Sequence, residues 1–343
     1  MTKEYQIAKL YFYQPLALMS GKKDEFQNEV LSLPSDTLKA AIISGLAKID
    51  PEKVDLLNED LTVSSAYPFY DDRYFFPKPM NKLPVKDNSE IGMAKKIKKI
   101  AFLDLPLFEK TINRIEFDIT GNNLLHNGKF LVANKEEYPK KLYAAQTEER
   151  VQIGNVNMFA TDQRPAPFYI SRTYFYQPEK TGDRQNKLDN RTGLYFIYLT
   201  SHKDILQKAL EFLQDEGLGA DKNVGNGKFT VTFDSLKLNI PDDANKQIIL
   251  SKFIPGQQNI QNGLLDNAAY LLDKRNGYIA GTVNESYAHW QKRSVFMLRE
   301  ASVFDINFEL TGKNVVLSTA KAENVLKHKV YRDGRPVSIP AKF

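Results

Sequence analysis

Gly217-Leu218-Gly219-Ala220-Asp221-Lys222-Asn223-Val224-Gly225-Asn226-Gly227-Lys228-Phe229 is the stretch that decides how the rest of this 343-residue chain is read. Four glycines fall within eleven positions between a helix and a strand. Such a backbone can take positive φ and let a ligand come close to N–H groups that side chains would cover. Lys222 and Lys228 add positive charge, and phosphate is the ligand that suits the combination. Two familiar phosphate motifs fail letter by letter. A P-loop needs Gly-Lys-Ser/Thr opening a helix, whereas Gly227-Lys228 is followed by Phe229 and a strand. A dinucleotide fingerprint needs Gly-x-Gly-x-x-Gly between strand and helix, whereas the sixth residue from Gly217 is Lys222 and the elements come in the reverse order. A helix-capping glycine accounts for Gly217 alone.

Upstream of the loop, Gly193 to Leu199 reads as a buried strand. Ser201 and Asp204 open a helix whose Ile205, Leu206, Ala209, Leu210 and Leu213 share one face and which ends at Gly217. Downstream, Phe229, Val231 and Phe233 alternate with polar residues in a further strand. The N-terminal part repeats the theme. A strand spans Tyr5 to Phe12, a loop follows through Ser20, Gly21, Lys22 and Lys23, and Ser35 caps a helix with Asp36 in its first turn. Leu38, Ala41, Ile42, Leu46 and Ile49 form that helix's apolar stripe, and Asp50-Pro51 stops it. Tyr67-Pro68-Phe69-Tyr70 and Tyr74-Phe75-Phe76-Pro77-Lys78-Pro79 read as an ordered aromatic excursion rich in proline, in which the two prolines around Lys78 fix an extended backbone that cannot enter a central strand. Strand, helix, long insertion, strand, helix, glycine loop and strand, with one more strand inside the insertion, make the split βαβ plan that RNA-recognition modules also use. The expected architecture is therefore α+β. Residues 1–240 form a first domain with an insertion at about 62–165, and a smaller strand-rich domain covers 241–343 after the junction Pro241-Asp242-Asp243.

Composition sets outer limits. Hydrophobic residues are 42% and charged residues 26% of the chain, as in a folded soluble protein. Lys plus Arg (47) less Asp plus Glu (42) leaves +5, compatible with a polyanion partner but not diagnostic of one. The absence of cysteine removes disulfides, thiolate catalysis and zinc ribbons. No signal peptide or apolar run of membrane-spanning length is present, so a cytoplasmic protein is expected. His126, His202, His289 and His328 are scattered without metal-ligand spacing, and Asp71-Asp72, Glu148-Glu149 and Asp242-Asp243 read as turn acids. No metal, cofactor or catalytic cluster is expected. A run of lysines, Lys78, Lys82, Lys86, Lys95, Lys96, Lys98 and Lys99, fits a solvated face as well as a nucleic-acid contact. Tyr174, Phe175, Tyr176, Tyr287 and Trp290 are candidates for base stacking, weighed against the usual place of aromatics in the core.

The glycine loop with Phe229 resembles that of RAMP proteins, the repeat-associated ferredoxin-like proteins of CRISPR systems. Four further segments are similar to one branch, the fourth subunit of type III-A (Csm) interference complexes. They are Ser35-Asp36-Thr37-Leu38, the run Ser64-Ser65-Ala66-Tyr67-Pro68-Phe69 through Tyr74 to Pro79, Arg191-Thr192-Gly193-Leu194-Tyr195-Phe196, and His328-Lys329-Val330-Tyr331-Arg332-Asp333-Gly334. The resemblance implies two ferredoxin-like domains that cap the repeat-derived 5′ handle of the guide RNA, with a thumb hairpin from the insertion in the segment Glu148 to Asn155. It implies RNA contacts at Ser20, Gly21, Lys22, Ser35, Arg150, Gly217, Gly219, Lys222, Asn223, Gly225, Asn226, Gly227, Lys228 and Arg332. Phosphates would be held by backbone amides with Lys222, Lys228 and Arg150. The implied partners are the large palm-domain subunit and a backbone subunit, and the implied role is recognition without catalysis. Ala220 stands where the family often has glycine, and Asn155 where an acid is expected. The alternatives are a metal-independent repeat endoribonuclease using His328 or His126, the equivalent capping subunit of a sister type III complex, and an unrelated anion-binding domain.

Overall fold

The computed structural model describes residues 1–17, 31–86, 93–139, 141–151, 167–175, 191–279 and 290–343. Its first half is organised by β1 (Thr2–Phe12), a strand apolar on both faces, which is flanked by β11 (Thr192–Leu199) and β12 (Phe229–Asn239). β4 (Tyr67–Tyr70) lies beyond β11, so the order is β12-β1-β11-β4 with every neighbour antiparallel. α1 (Ser35–Ile49) connects β1 to β4, and α5 (Lys203–Glu216) connects β11 to β12. This is a split βαβ unit used twice, the ferredoxin-like arrangement. The two helices pack on each other along the stripes read from the sequence. Leu38, Ile42 and Leu46 of α1 and Ile205, Leu206, Ala209, Leu210 and Leu213 of α5 are all buried, whereas Ala41 of the α1 stripe is half-buried and Ile49, in the last turn, is 42% exposed.

The sheet then continues outward through β5 (Arg73–Pro77), β6 (Phe102–Asp104), β8 (Phe130–Leu131) and β7 (Leu124–Leu125), while β3 (Thr62–Val63) pairs with β11. Two expectations are corrected here. The insertion at about 62–165 begins too early, since 62–70 supply the second strand of the split unit and 73–131 extend its sheet. The aromatic segments form strands after all. Pro68 is tolerated in β4 because the ladder to β5 stops at the Phe69–Tyr74 pair, leaving the missing N–H where no partner strand follows. Phe76 stacks on Phe108 of α4 (Leu105–Ile112) at 4.2 Å, and Tyr195 donates its hydroxyl to the Phe75 carbonyl at 3.0 Å, so these aromatics are core. Asp104 caps α4 by accepting from the Leu107 amide. α2 (Val54–Asp60) and α3 (Met93–Lys99) lie in the connections. In a separate ribbon β9 (Ala144–Val151) pairs with β10 (Pro167–Tyr174), and β10 with β2 (Leu16–Ala17).

The last hundred residues repeat the first plan in reduced form. β13 (Lys246–Ile249) sits between β19 (Ser338–Ala341) and β16 (Val303–Asp305), and Ala269 bridges to Val303 where a fourth strand would lie. α6 (Gln257–Gln261) and α7 (Ala320–Leu326) occupy the crossover positions. The ribbons β14 (Leu272–Arg275) with β15 (Val295–Leu298), and β17 (Asn314–Val316) with β18 (Tyr331–Asp333), complete this part.

One hydrophobic core runs through both halves, from Tyr5 to Ala341. Across the seam the Tyr67 hydroxyl donates to the Leu250 carbonyl at 2.7 Å and the Ser251 hydroxyl to the Val63 carbonyl at 2.8 Å. A buried ionic cluster adds to it. Asp36 meets Arg275 and Arg332, and Lys39 meets Asp333 as well as the carbonyls of Asn58 and Leu61. Burial pushes the Lys39 ammonium down to about 8 despite Asp333.

Candidate nucleic-acid interface

α5 ends where Gly217 turns left-handed and donates its amide to the Leu213 carbonyl at 2.8 Å. The loop then doubles back on itself and onto residues 13–17. Leu218 donates to the Gly227 carbonyl (2.9 Å), Gly227 to Pro15 (2.8 Å) and Ala220 to Ala17 (2.7 Å), while the amides of Tyr13 and Gln14 reach the Lys228 carbonyl at 3.2 and 3.4 Å. Glycine is required by these close approaches. A Cβ on Gly219 would stand 2.3 Å from the Ala17 oxygen, and one on Gly227 would stand 1.8 Å from the Leu218 oxygen. Much of the loop's hydrogen-bonding capacity therefore goes into its own construction, which corrects the picture of a loop lined throughout with bare N–H groups. The amides of Lys222 and Asn223, at the tip, have no acceptor among the described residues.

That tip is a short helical turn over 222–224, closed by Gly225 donating to the Lys222 carbonyl at 2.9 Å. It presents Lys222, Asn223 and Val224 to solvent, Val224 being 65% exposed. Neither Lys222 nor half-buried Lys228 forms an ion pair among the described residues. Both lysines line a shallow depression that also takes in Asn223, Lys48, Asp215 and Glu216. Lys48 and Glu216 pair at 2.6 Å, and that lysine's hydrogen bond outweighs partial burial and holds the Glu216 carboxyl below its usual range. Three lysines against two acids leave the depression one net positive charge, with Lys222 and Lys228 outside the Lys48–Glu216 pair.

The β2–β10–β9 ribbon stands against this loop, because the Ala17 carbonyl that accepts from Ala220 belongs to β2. Arg172 of β10 lies opposite Ala17 and pairs with Glu148 of β9 at 2.8 Å. Its Nε is buried with no acceptor among the described residues, and the same holds for Nδ2 of Asn226. Two buried donors left open at one junction are unusual, since an unmet donor costs about 1–3 kcal/mol. Asn226 was among the residues expected from the sequence. Arg172 was not, although a lone arginine in an otherwise aromatic and β-branched strand is a signal of that kind.

The remaining expected contacts separate. Ser20, Gly21 and Lys22 lie outside the described residues, as do 152–155 of the thumb segment; Arg150 belongs to β9. Ser35 and Arg332 are corrected. Ser35 does not cap its own helix; its hydroxyl accepts from the Lys252 amide and its amide donates to the Ser65 hydroxyl, both at 2.9 Å. Arg332 is 9% exposed and held by Asp36. Both side chains join the two halves of the molecule and have no surface to offer an RNA.

The histidines and acids have structural partners as well. His126 Nε2 accepts from the Leu142 amide at 2.6 Å while its ring stacks on Tyr143 at 4.3 Å. His328 is exposed beside the Lys329 carbonyl, and His289 lies outside the described residues. Asp71 forms the β4–β5 turn with positive φ, Asp242 pairs with the N-terminal ammonium and Asp243 with Lys342. No grouping of metal-ligand residues occurs among the described residues. Of the stacking candidates, Phe175 is buried against Phe12 and Trp290 is half-buried near Lys321, while Tyr176 and Tyr287 are outside the described residues.

A split βαβ unit with a glycine loop between its second helix and last strand, followed by a reduced copy of the same unit, is the arrangement that the resemblance to RAMP proteins implied. Residues 242–341 match the family described as the CRISPR Csm4 C-terminal domain. The Csm4 protein of Thermococcus onnurineus is 25% identical over 257 residues, covering 70% of this chain and 76% of its own length. That of Methanocaldococcus jannaschii is 23% identical over 352 residues, covering 89% and 90%. A chain in the crystal structure of the Csm3-Csm4 subcomplex of the type III-A CRISPR-Cas interference complex superposes with a TM-score of 0.61 at 17% identity, covering 99% of this chain and all of its own. A chain in the Csm1-Csm4 cassette bound to cA4 superposes at 0.60 with the same identity, covering 99% of both. Over most of its length the chain is thus similar to Csm4 proteins, and its last hundred residues match the Csm4 C-terminal domain.

Proposed function

We propose that this chain is the RNA-binding subunit that caps the 5′ handle of the guide RNA in a type III-A CRISPR interference complex. The observation that carries this reading is the glycine-loop tip, where two lysines without an ion pair and two amides without an acceptor among the described residues stand beside the ribbon bearing Arg172. Lys222 and Lys228 meet backbone phosphates, the tip amides supply short hydrogen bonds to phosphate oxygens, and Val224 and Asn223 face sugar or base. Phosphate contacts fix position, and splayed handle bases are read by the surrounding polar and aromatic side chains.

As a subunit, the chain docks the large palm-domain protein on one side and a backbone subunit on the other, and it acts in the cytoplasm in antiviral defence. The likeness to chains in Csm1-Csm4 and Csm3-Csm4 structures supports that placement. No described helix is long and apolar enough to cross a membrane. Its role is non-catalytic. His126, one of the two histidines a repeat-cleaving nuclease would use, has its ring nitrogen engaged by a backbone amide and its face against Tyr143.

The purified chain, incubated without metal with end-labelled repeat RNA and with mature guide carrying the handle, tests both readings on one gel. Handle-dependent binding without cleavage is the expected result. A single metal-independent cut abolished by His328→Ala or His126→Ala would instead make the chain a processing nuclease.

A further inference from the structure

A second cationic surface lies at the corner of the large sheet diagonally opposite the glycine loop. β6 is five places from β12 in the strand order, about 24 Å at 4.8 Å per strand. The register puts the start of β6 at the far end as well. Phe102 pairs with Pro77, whereas Arg73, Tyr70 and Thr192 line up at the loop's end. α3 leads into that corner carrying Lys95, Lys96, Lys98 and Lys99, all exposed, and no acid. None of the four takes part in an ion pair or hydrogen bond among the described residues.

Cations near a helix C-terminus have an ordinary use in complementing the macrodipole. Here the last-turn carbonyl of Ile97 already accepts from Lys78, at 2.9 Å. The other four ammonium groups are left in water, crowded at i, i+3 and i+4 spacings of about 5–6 Å, where like charges weaken a helix. The helix is held by other means. Ile97 is half-buried, Ile100 is 2% exposed, and the stem of Lys99 passes over Gly128, where an added Cβ would lie 3.8 Å from Lys99 Cδ.

We propose that α3 is a second nucleic-acid surface, which holds the phosphate backbone of a strand segment other than the one at the glycine loop. Charge complementarity selects this occupant. Closely spaced, unpaired lysines need only phosphates to release counterions, whereas a protein partner would need an apolar centre to dock on, and Ile97 alone is half-buried there. This surface stands whether or not the loop caps a guide handle.

The test uses the full chain carrying Lys222→Ala and Lys228→Ala, so that the loop's lysines no longer contribute to the salt slope, and an oligouridylate followed by fluorescence anisotropy across a salt series. Adding Lys95→Gln, Lys96→Gln, Lys98→Gln and Lys99→Gln is expected to weaken binding at least about tenfold and to flatten the salt slope by roughly 3, at about 0.7 per phosphate on a single strand. Arginine at the same four positions retains both. Unchanged affinity and slope in the glutamine variant overturn the proposal. So does loss of polyglutamate binding with oligouridylate binding intact, which would assign the surface to an acidic protein segment. All four side chains are exposed, so the variant is expected to fold, and an unchanged melting temperature checks it.

Discussion

Arg275 grips Asp36 with a forked pair of hydrogen bonds, Nε to Oδ2 and Nη2 to Oδ1, both 3.1 Å, across 239 residues of sequence. Arg332 closes on the same carboxylate from β18. Burial alone would raise the Asp36 pKa, but the two guanidinium groups outweigh it and hold the carboxyl below its usual range. The first turn of α1 is thereby fastened to the C-terminal half by charge as well as by core. Asp36→Asn leaves two arginines facing a neutral amide and is expected to cost about 3–5 kcal/mol in urea denaturation. Because the folded pKa is depressed, the stabilisation is present above the unfolded value near 4 and is lost as pH falls through the folded one. The variant's acid limb should be correspondingly flatter; equal steepness would remove Asp36 from the acid response.

Asp104 has the opposite sign. Burial pushes its carboxyl up to about 6, and the hydrogen bonds from Ala133, Leu107 and Tyr138 only partly oppose that. Its contribution is full below the unfolded value near 4 and is lost as pH rises through 6. A shift from 3.8 to about 6 corresponds to a fall of about 3 kcal/mol over that window. Asp104→Asn should abolish this slope between pH 4 and 7, read from urea midpoints at several pH values, and a slope equal to the parent's would refute the assignment.

Lys222→Ala with Lys228→Ala is expected to weaken binding of handle-bearing RNA and to reduce the salt slope by about 1.4, two phosphates at 0.7 each. Melting temperature should stay within about 2 °C of the parent, since neither lysine forms an ion pair among the described residues. Full affinity with an unaltered slope would take the glycine loop out of the site.

Two glycines of the loop should respond differently to alanine. Gly225, with φ +89 and nothing within 4 Å of an added Cβ, carries only the left-handed strain of about 1–2 kcal/mol. Gly227 would bring its Cβ to 1.8 Å from the Leu218 oxygen, and a loss above about 4 kcal/mol is expected. Urea midpoints of the two variants provide the comparison; equal losses would mean that the doubled-back path is not the one adopted in solution.

The frame of the fold is legible in sequence because β1, α1, β11, α5 and β12 each carry an unambiguous period. Leu38, Ile42 and Leu46 announce a helix face that is indeed buried. β4 and β5 are not legible as central strands. Pro68 argues against pairing by a rule that holds only where a neighbour strand continues, and the end of the β4–β5 ladder is a tertiary fact. The glycine loop is legible as a special backbone, while the destination of its amides depends on residues 13–17, some two hundred positions away in the chain. Ser35 and Arg332 show the reverse failure. A helix-start serine and a lone arginine in a family-like motif read as contacts, and their actual partners, Lys252 and Asp36, are visible only once the two halves are packed. Arg172 escapes notice because its surroundings come from β2 and β9 rather than from its own strand.

Among the described residues β1 pairs with β11 and β12, so this strand is completed only when residues up to Asn239 have been made. During synthesis an apolar segment with both edges unpaired must wait for most of the chain to leave the ribosome, roughly ten seconds or more at 5–20 residues per second. Such long-range closure is slow and open to wrong partners. The nascent chain's yield of soluble protein should therefore depend on what shields β1 in that interval, a vulnerability set by the strand order itself.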